Sequence, residues 1–130
     1  AIRLGVGSRI PLVSTGMGRA LLAALPPAER ESRLAEIALE HGDDWPRVEA
    51  ATREAIAFAQ ENGFALSGGD WIAEANSAGA VVCRADGYPV YAVNVGGLRS
   101  IITTERLMSD LAPRLLGVTR KIEHIARGML

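Results

Sequence analysis

Apolar residues recur at two different periods along the chain, and the period changes near residue 64. Before that point they step by three and four. Ala28 to Glu40 carries Leu34, Ile37 and Ala38, while the next stretch carries Val48, Ala51, Ala55 and Ala59 as one stripe widened by Ile56 and Phe58, which predicts two amphipathic helices. A shorter helix is predicted over Met17 to Leu25, with Ser14 or Thr15 as its cap and Gly16 and Gly18 in its first turn. Pro26 and Pro27 end that helix and start the next, since proline suits a first helical position. Gly42 stops the second helix, Asp43 or Asp44 caps the third ahead of Pro46, and Asn62-Gly63 ends it.

Beyond this point the pattern is short and extended. Phe64 to Ser67 predicts a strand, and Gly68-Gly69-Asp70 a turn. Ala75 to Val82 and Tyr88 to Val95 predict a hairpin around Ala85-Asp86-Gly87. Thr103 or Thr104 then opens a last helix in which Leu107, Leu111, Leu115, Val118, Ile122 and Ile125 form a stripe, with a bend expected at Pro113 or Gly117. Ahead of everything, Ile2 to Val13 mixes apolar residues with Gly5, Gly7 and Pro11 and reads as an edge strand entering a loop. Helices, then hairpin strands, then a helix predict an α+β fold with an antiparallel sheet covered by helices.

Alternation makes one face of that sheet informative. Ala75, Ser77, Gly79 and Val81 share a face of one strand, and Val90, Ala92, Asn94 and Gly96 share a face of its partner. Most are small. Such a face either takes a helix packed very close, the commoner outcome, or leaves room for a small molecule.

Composition narrows the function. The chain has 130 residues, 48% hydrophobic and 22% charged, enough for one domain and not for two large ones. Fourteen Lys and Arg against fifteen Asp and Glu leave a net charge of -1, without the basic excess of a duplex-DNA reader. No apolar run approaches the length of a membrane span and no signal-peptide pattern opens the chain, so the expectation is a cytoplasmic protein. One cysteine, Cys83, offers neither a disulfide nor a thiolate cage.

The candidate chemistry is sparse. Gly16 and Gly18 imitate a dinucleotide fingerprint, but the third small position falls on Leu21 and no second parallel strand follows, so no nucleotide cofactor is expected. Glycines in a first helical turn still expose backbone N–H groups at the positive end of the helix, suited to a carboxylate; tight packing is an equal alternative. Ser14, His41 and Asp43 lack the strand-turn-helix context of a nucleophile, and His41, Asp43 and Asp44 lack further ligands for a metal. Neither catalysis nor a metal is expected. His41 and His124 are expected in solvent, Cys83 to be inert, and Trp45 and Trp71 to pack over the core, Trp71 being the one also placed to lid a pocket.

Gly7-Ser-Arg-Ile-Pro-Leu12, followed by Ser14-Thr-Gly-Met-Gly-Arg-Ala-Leu-Leu-Ala23, resembles the start of the effector-binding half of IclR-family transcriptional regulators. Pro26-Pro-Ala-Glu-Arg30, Asn62-Gly-Phe-Ala65, Ala85-Asp-Gly87, Asn94-Val-Gly-Gly97 and Thr104-Glu-Arg-Leu107 continue the resemblance in order. It implies a GAF-like or profilin-like domain that begins here inside its sheet, its first helix and strands lying upstream. It also implies an N-terminal winged helix-turn-helix outside this sequence, through which alone DNA would be bound, and a homodimer or homotetramer.

The implied partner is a small carboxylic-acid effector, held by the amides of the first-helix glycine motif at Gly16, Met17 and Gly18 and by side chains on the strands. Better-known members carry an acidic residue, a cysteine and two serines where this chain has Ser67, Ser77, Asn94 and Gly96. The departure implies that the effector need not be of the glyoxylate or pyruvate type, and members with a related Ser and Asn pattern include regulators of aromatic-acid catabolism. Met17, Leu21, Val81 and Trp71 are the expected apolar walls. Two other readings stay open, a dimerisation module with a vestigial pocket and a small enzyme.

Overall fold

A computed structural model describes residues 4–129. Helix α1 (Gly16–Ala24) starts at Thr15, whose Oγ1 accepts from the Gly18 N–H at 3.0 Å and donates to the Pro11 carbonyl at 2.6 Å. Helix α2 (Pro27–His41) begins on a proline in its first turn, as its sequence predicts. Helix α3 (Trp45–Asn62) departs from expectation at its start. The backbone runs into it through a 3-10 turn, Gly42–Asp44, and neither Asp43 nor Asp44 makes a side-chain cap bond. Helical geometry at Asp44 leaves its carboxylate to His41 Nδ1 and Arg47 instead, at 3.5 and 3.6 Å. Gly63 ends α3 in the left-handed region, at φ 86°.

Strands β1 (Ala65–Gly68), β2 (Ala75–Cys83) and β3 (Pro89–Leu98) form an antiparallel sheet in the order β1-β2-β3. Asp86 shapes the β2–β3 loop by accepting from the Tyr88 N–H and from Arg84. Two rows of residues cross all three strands on one face: Ser67, Ser77 and Gly96, and beside it Ala65, Gly79 and Asn94. The faces inferred from alternation are therefore the observed ones.

The expected first strand is absent among the described residues. Residues 1–3 lie outside the described residues, and Leu4 to Val13 is irregular. Gly5 and Ser8 close a turn on each other, with Gly7 at φ 92°, which ends any extended run before it can pair.

The last helix is interrupted as well. One turn, α4 (Thr104–Arg106), capped by Thr103, passes through a π-type turn, Leu107–Leu111, into α5 (Ala112–Ala126). The break precedes Pro113, which has no N–H and would crowd the carbonyl four residues back in a regular helix. Gly117 stands in open surroundings and marks no break.

Three layers result. Helix α1 packs on the face bearing Ser77 and Gly79, with α3 behind it. On the opposite face Ala78 and Ala80 meet Phe64, Leu107, Ala112 and Leu115. A second cluster joins Val13, Leu22, Leu25, Leu34 and Ile56, tying α2 and α3 to α1. Only part of the predicted stripe of the last helix is buried. Leu107 and Leu115 are inside, whereas Val118, Ile122 and Ile125 face outward, because α5 meets the sheet through Ala112, Leu115 and Thr119.

The layer spacing depends on glycine. A methyl group on Gly79 would lie 2.3 to 2.4 Å from the backbone of Gly16 and Met17, and one on Gly18 would lie 2.3 Å from the Leu12 carbonyl oxygen. Gly79→Ala is expected to destabilise the fold by at least about 1–3 kcal/mol, the usual range for overpacking, because backbone rather than a movable side chain blocks it. Thr15→Ala should cost about 0.5–2 kcal/mol through the lost cap. Urea unfolding of each variant measures both, and a Gly79→Ala midpoint equal to the parent's would refute the first.

Candidate functional site

The close approach of α1 to β2 brings the start of the helix over the sheet. Thr15 occupies the Gly18 N–H, and the Arg19 N–H bonds to the Thr15 carbonyl. The Gly16 and Met17 N–H groups are left without an acceptor among the described residues. Beside them the sheet carries Ser77, whose Oγ lies 3.3 Å from where a Gly16 Cβ would stand. Asn94 is opposite Gly79, one row further along.

A cavity of about 230 Å³ opens at this point, lined by Met17, Ser67, Trp71, Ser77, Asn94 and Gly96, together with Thr15, Ile10, Ile72 and Ala75. The structure thus gathers six of the eight residues singled out from sequence. The other two are elsewhere in role: Gly16 is pressed against Gly79 and Gly18 against Leu12. Leu21 and Val81, expected as walls, do not line it either. They lie past the contact of Gly16 with Gly79, where helix and sheet have closed on each other, and Val81 packs against the cluster of Ala20, Ala59 and Ala65.

Of the polar side chains that line the cavity, Asn76 donates through Nδ2 to the Ile102 carbonyl at 2.8 Å, and its buried Oδ1 has no partner among the described residues. The Ser67 hydroxyl donates to the Ser14 carbonyl at 2.6 Å, which leaves its lone pairs facing outward as acceptors. Ser77 Oγ and the Asn94 amide have no partner among the described residues. No charged or titratable side chain among the described residues lines the cavity. Among those residues an anion placed here is met by the helix end and neutral donors, and the helix end supplies about half a unit of positive charge.

Residues that sequence reasoning overlooked hold the site in place. Arg19 is 7% exposed. Its Nε donates to the Val13 carbonyl at 2.9 Å, and its Nη1 to the Leu66 carbonyl at 2.8 Å and to Asp70 at 3.1 Å. One guanidinium thus joins the incoming loop, α1, β1 and the turn after it. Within the Met-Gly-Arg-Ala run it looks like an ordinary helix arginine; only its place directly after Gly18 and three residues after Gly16 hints that this face of the helix is covered. Ile10, Ile72 and Ala75 give no signal beyond their neighbours.

The other candidates are accounted for by packing. Trp45 stacks near His41, ring centroids 5.4 Å apart, and joins the cluster around Leu34. Trp71, at 38% exposed, sits on the cavity and not in the core, because the tight turn that carries it leaves it at the sheet's end. His41 reaches Asp44 and not Asp43, and no group of three potential metal ligands exists among the described residues. His124 is exposed. Burial first, then Glu123 and Asp86, push the Cys83 thiol up, away from the nucleophilic thiolate.

The family profile described as "Bacterial transcriptional regulator IclR C-terminal" matches residues 1–124. Among solved structures, an IclR-family transcriptional regulator from Brucella abortus is 31% identical, with a TM-score of 0.88 over 95% of this chain and 47% of that one. The IclR of Thermotoga maritima is 23% identical, TM-score 0.74, over 94% of this chain and 51% of that one. The inducer-binding domain of the transcription factor PobR from Acinetobacter, solved as a double mutant with 3-hydroxybenzoic acid, is 17% identical, TM-score 0.70, over 92% of this chain and 69% of that one. The chain spans about half the length of the two full regulators. These matches fix the fold as the α+β, GAF-like architecture of IclR-type effector-binding domains, and with the profile covering nearly every residue the chain belongs to the IclR C-terminal family of bacterial transcriptional regulators.

Proposed function

We propose that this chain senses a small organic acid and passes its occupancy to a winged helix-turn-helix segment lying outside these 130 residues. Effector binding shifts DNA affinity by rearranging a homodimer or homotetramer in the cytoplasm, with no cofactor and no chemical step. The observation that carries the reading is the unpaired amide of Met17 at the start of α1, beside a cavity that Met17 lines and whose facing sheet presents Ser77 and Asn94. That combination suits a carboxylate, and among the described residues the cavity is lined by no side chain to serve as general acid or base. The complex of the similarly folded PobR domain with 3-hydroxybenzoic acid supports an acid of that general type.

A second reading, a dimerisation module with an idle pocket, draws on the outward-facing Val118, Ile122 and Ile125. The two are separable. A panel of metabolic carboxylic acids should contain at least one that raises the melting temperature by several degrees, since a ligand at a hundred times its Kd adds about 2.7 kcal/mol to native stability. A mass that grows with concentration while no acid moves the melting temperature would favour the dimerisation module.

The sign of the site can be tested as well. Asn94→Asp keeps the size of the side chain and places a like charge by the carboxylate. At 4 Å and an effective dielectric of 20 the repulsion reaches about 4 kcal/mol, and solvent at this exposed position reduces it; a third of that is about tenfold in affinity. Ser77→Ala removes one neutral hydrogen bond and should cost less, about 0.5–1.5 kcal/mol. Calorimetric titration of the best acid into both variants, each checked by circular dichroism, reads the order. Unchanged binding by Asn94→Asp would show that Asn94 does not face the anion.

A further inference from the structure

Arg19 carries more donors than the framework around it uses. We propose that the cleft beside it, bounded by the end of α2, the first turn of α3 and the turn after β1, is a second binding site, separate from the cavity at the start of α1, and that it takes the single carboxylate of a small acid.

The cleft encloses about 370 Å³. The incoming loop divides its side chains between the two spaces: Ile10 and Thr15 line the first cavity, while Pro11, Val13 and Ser14 line the cleft. They share a wall and, among the described residues, no lining side chain.

Two independent features call for an acceptor there. Arg19 is more than nine-tenths buried and lines the cleft. Its Nε donates to the Val13 carbonyl and its Nη1 to the Leu66 carbonyl and Asp70, whereas Nη2 has no partner among the described residues. A buried guanidinium with unspent N–H groups needs an acceptor, and a carboxylate is well matched to it. The second feature is α3, a helix of 18 residues that starts at the cleft without a side-chain cap; Arg47 and Val48 of its first turn line the opening. The positive end of a helix favours a negative group. The Ser14 hydroxyl, also without a partner among the described residues, adds a neutral donor.

Charge limits the ligand to one negative group. Both carboxylates of the cleft are engaged: Asp70 accepts from Arg19 and from the Gly68 N–H, and Asp44 faces His41 and Arg47 at 3.5 and 3.6 Å. Arg19 Nη2, Arg47 and the helix end can therefore meet one added charge, while a second would stand against Asp44 and Asp70. Pro11, Val13 and Val48 offer an apolar surface to the carbon of the acid.

Acetate, sulfate and chloride, each titrated at constant ionic strength into the unaltered chain, test this through nitrogen–proton correlation spectra. Acetate should shift the Arg19 Nε–H and the Arg47 and Val48 amides saturably, with one Kd. Sulfate should bind at least about threefold more weakly, and chloride should not saturate. Arg47→Gln should weaken acetate by about threefold, the scale of one exposed charge pair. Ala51→Leu, which adds carbon to the cleft from an exposed helical position and is checked by circular dichroism, should abolish the saturable shifts at Arg19 and Arg47 and leave any at Met17 and Ser77 in place. That contrast makes the outcome independent of the acid-sensor reading of the first cavity. Acetate shifts confined to Met17 and Ser77, equal shifts from chloride, or undiminished acetate binding by Ala51→Leu would each overturn the second site. Sulfate binding as tightly as acetate would overturn its assignment to a single carboxylate.

Discussion

The architecture depends on how closely one helix end can approach one strand. Gly16 and Gly79 meet backbone to backbone, and no side chain fits between them. This contact does more than save space. It lowers the start of α1 onto the sheet, so that Met17 lines one cavity with Ser77 and Asn94. Were either glycine replaced by a residue with a Cβ, the helix would have to rise, and Met17 would move away from Ser77 and Asn94 across the cavity. The packing contact and the candidate site are thus one feature seen from its two ends.

Such a contact needs a rigid approach path, because the loop leading into α1 has no strand to anchor it. Arg19 supplies the anchor. Its guanidinium binds carbonyls from the loop and from β1, and Thr15 and Ser67 add bonds to Pro11 and Ser14. Burying an arginine is costly unless its donors are satisfied. Here the carbonyl bonds carry most of the compensation, since Asp70 is 45% exposed and water screens its charge. Met17, one residue beyond the Gly16 contact, is held over the cavity by this same framework.

Much of this was legible in the sequence for a simple reason: periodicity and turn chemistry are local. Prolines at 26, 27 and 46, glycines at 42 and 63 and the Asp86-Gly87 turn place the first three helices to within a residue or two and the hairpin to within three. Alternation along β2 and β3 also put Ser77, Asn94 and Gly96 on one face, since side chains in a strand alternate whatever the partner. What escaped depended on distance. Leu4 to Val13 has a strand-like composition, but the bond between Gly5 and Ser8 turns it before it can pair. Gly16 and Gly18 look alike in sequence, yet one meets a strand and the other a loop. The stripe from Val118 to Ile125 has the period of a buried face, and period alone does not say which part of a face finds a partner.

A choice that alternation left open, between close packing and room for a ligand, is resolved by position along β2. At Gly79 the face is closed, because the backbone of α1 lies on it. Two residues earlier, at Ser77, the same run of small side chains borders the cavity beside the start of α1. Small residues serve both requirements: at Gly79 a side chain would collide, and at Ala75 and Gly96 it would fill the cavity. The boundary between the two regions falls where the helix starts, and Thr15, by capping α1 there and not a turn later, fixes where packing ends and the cavity begins.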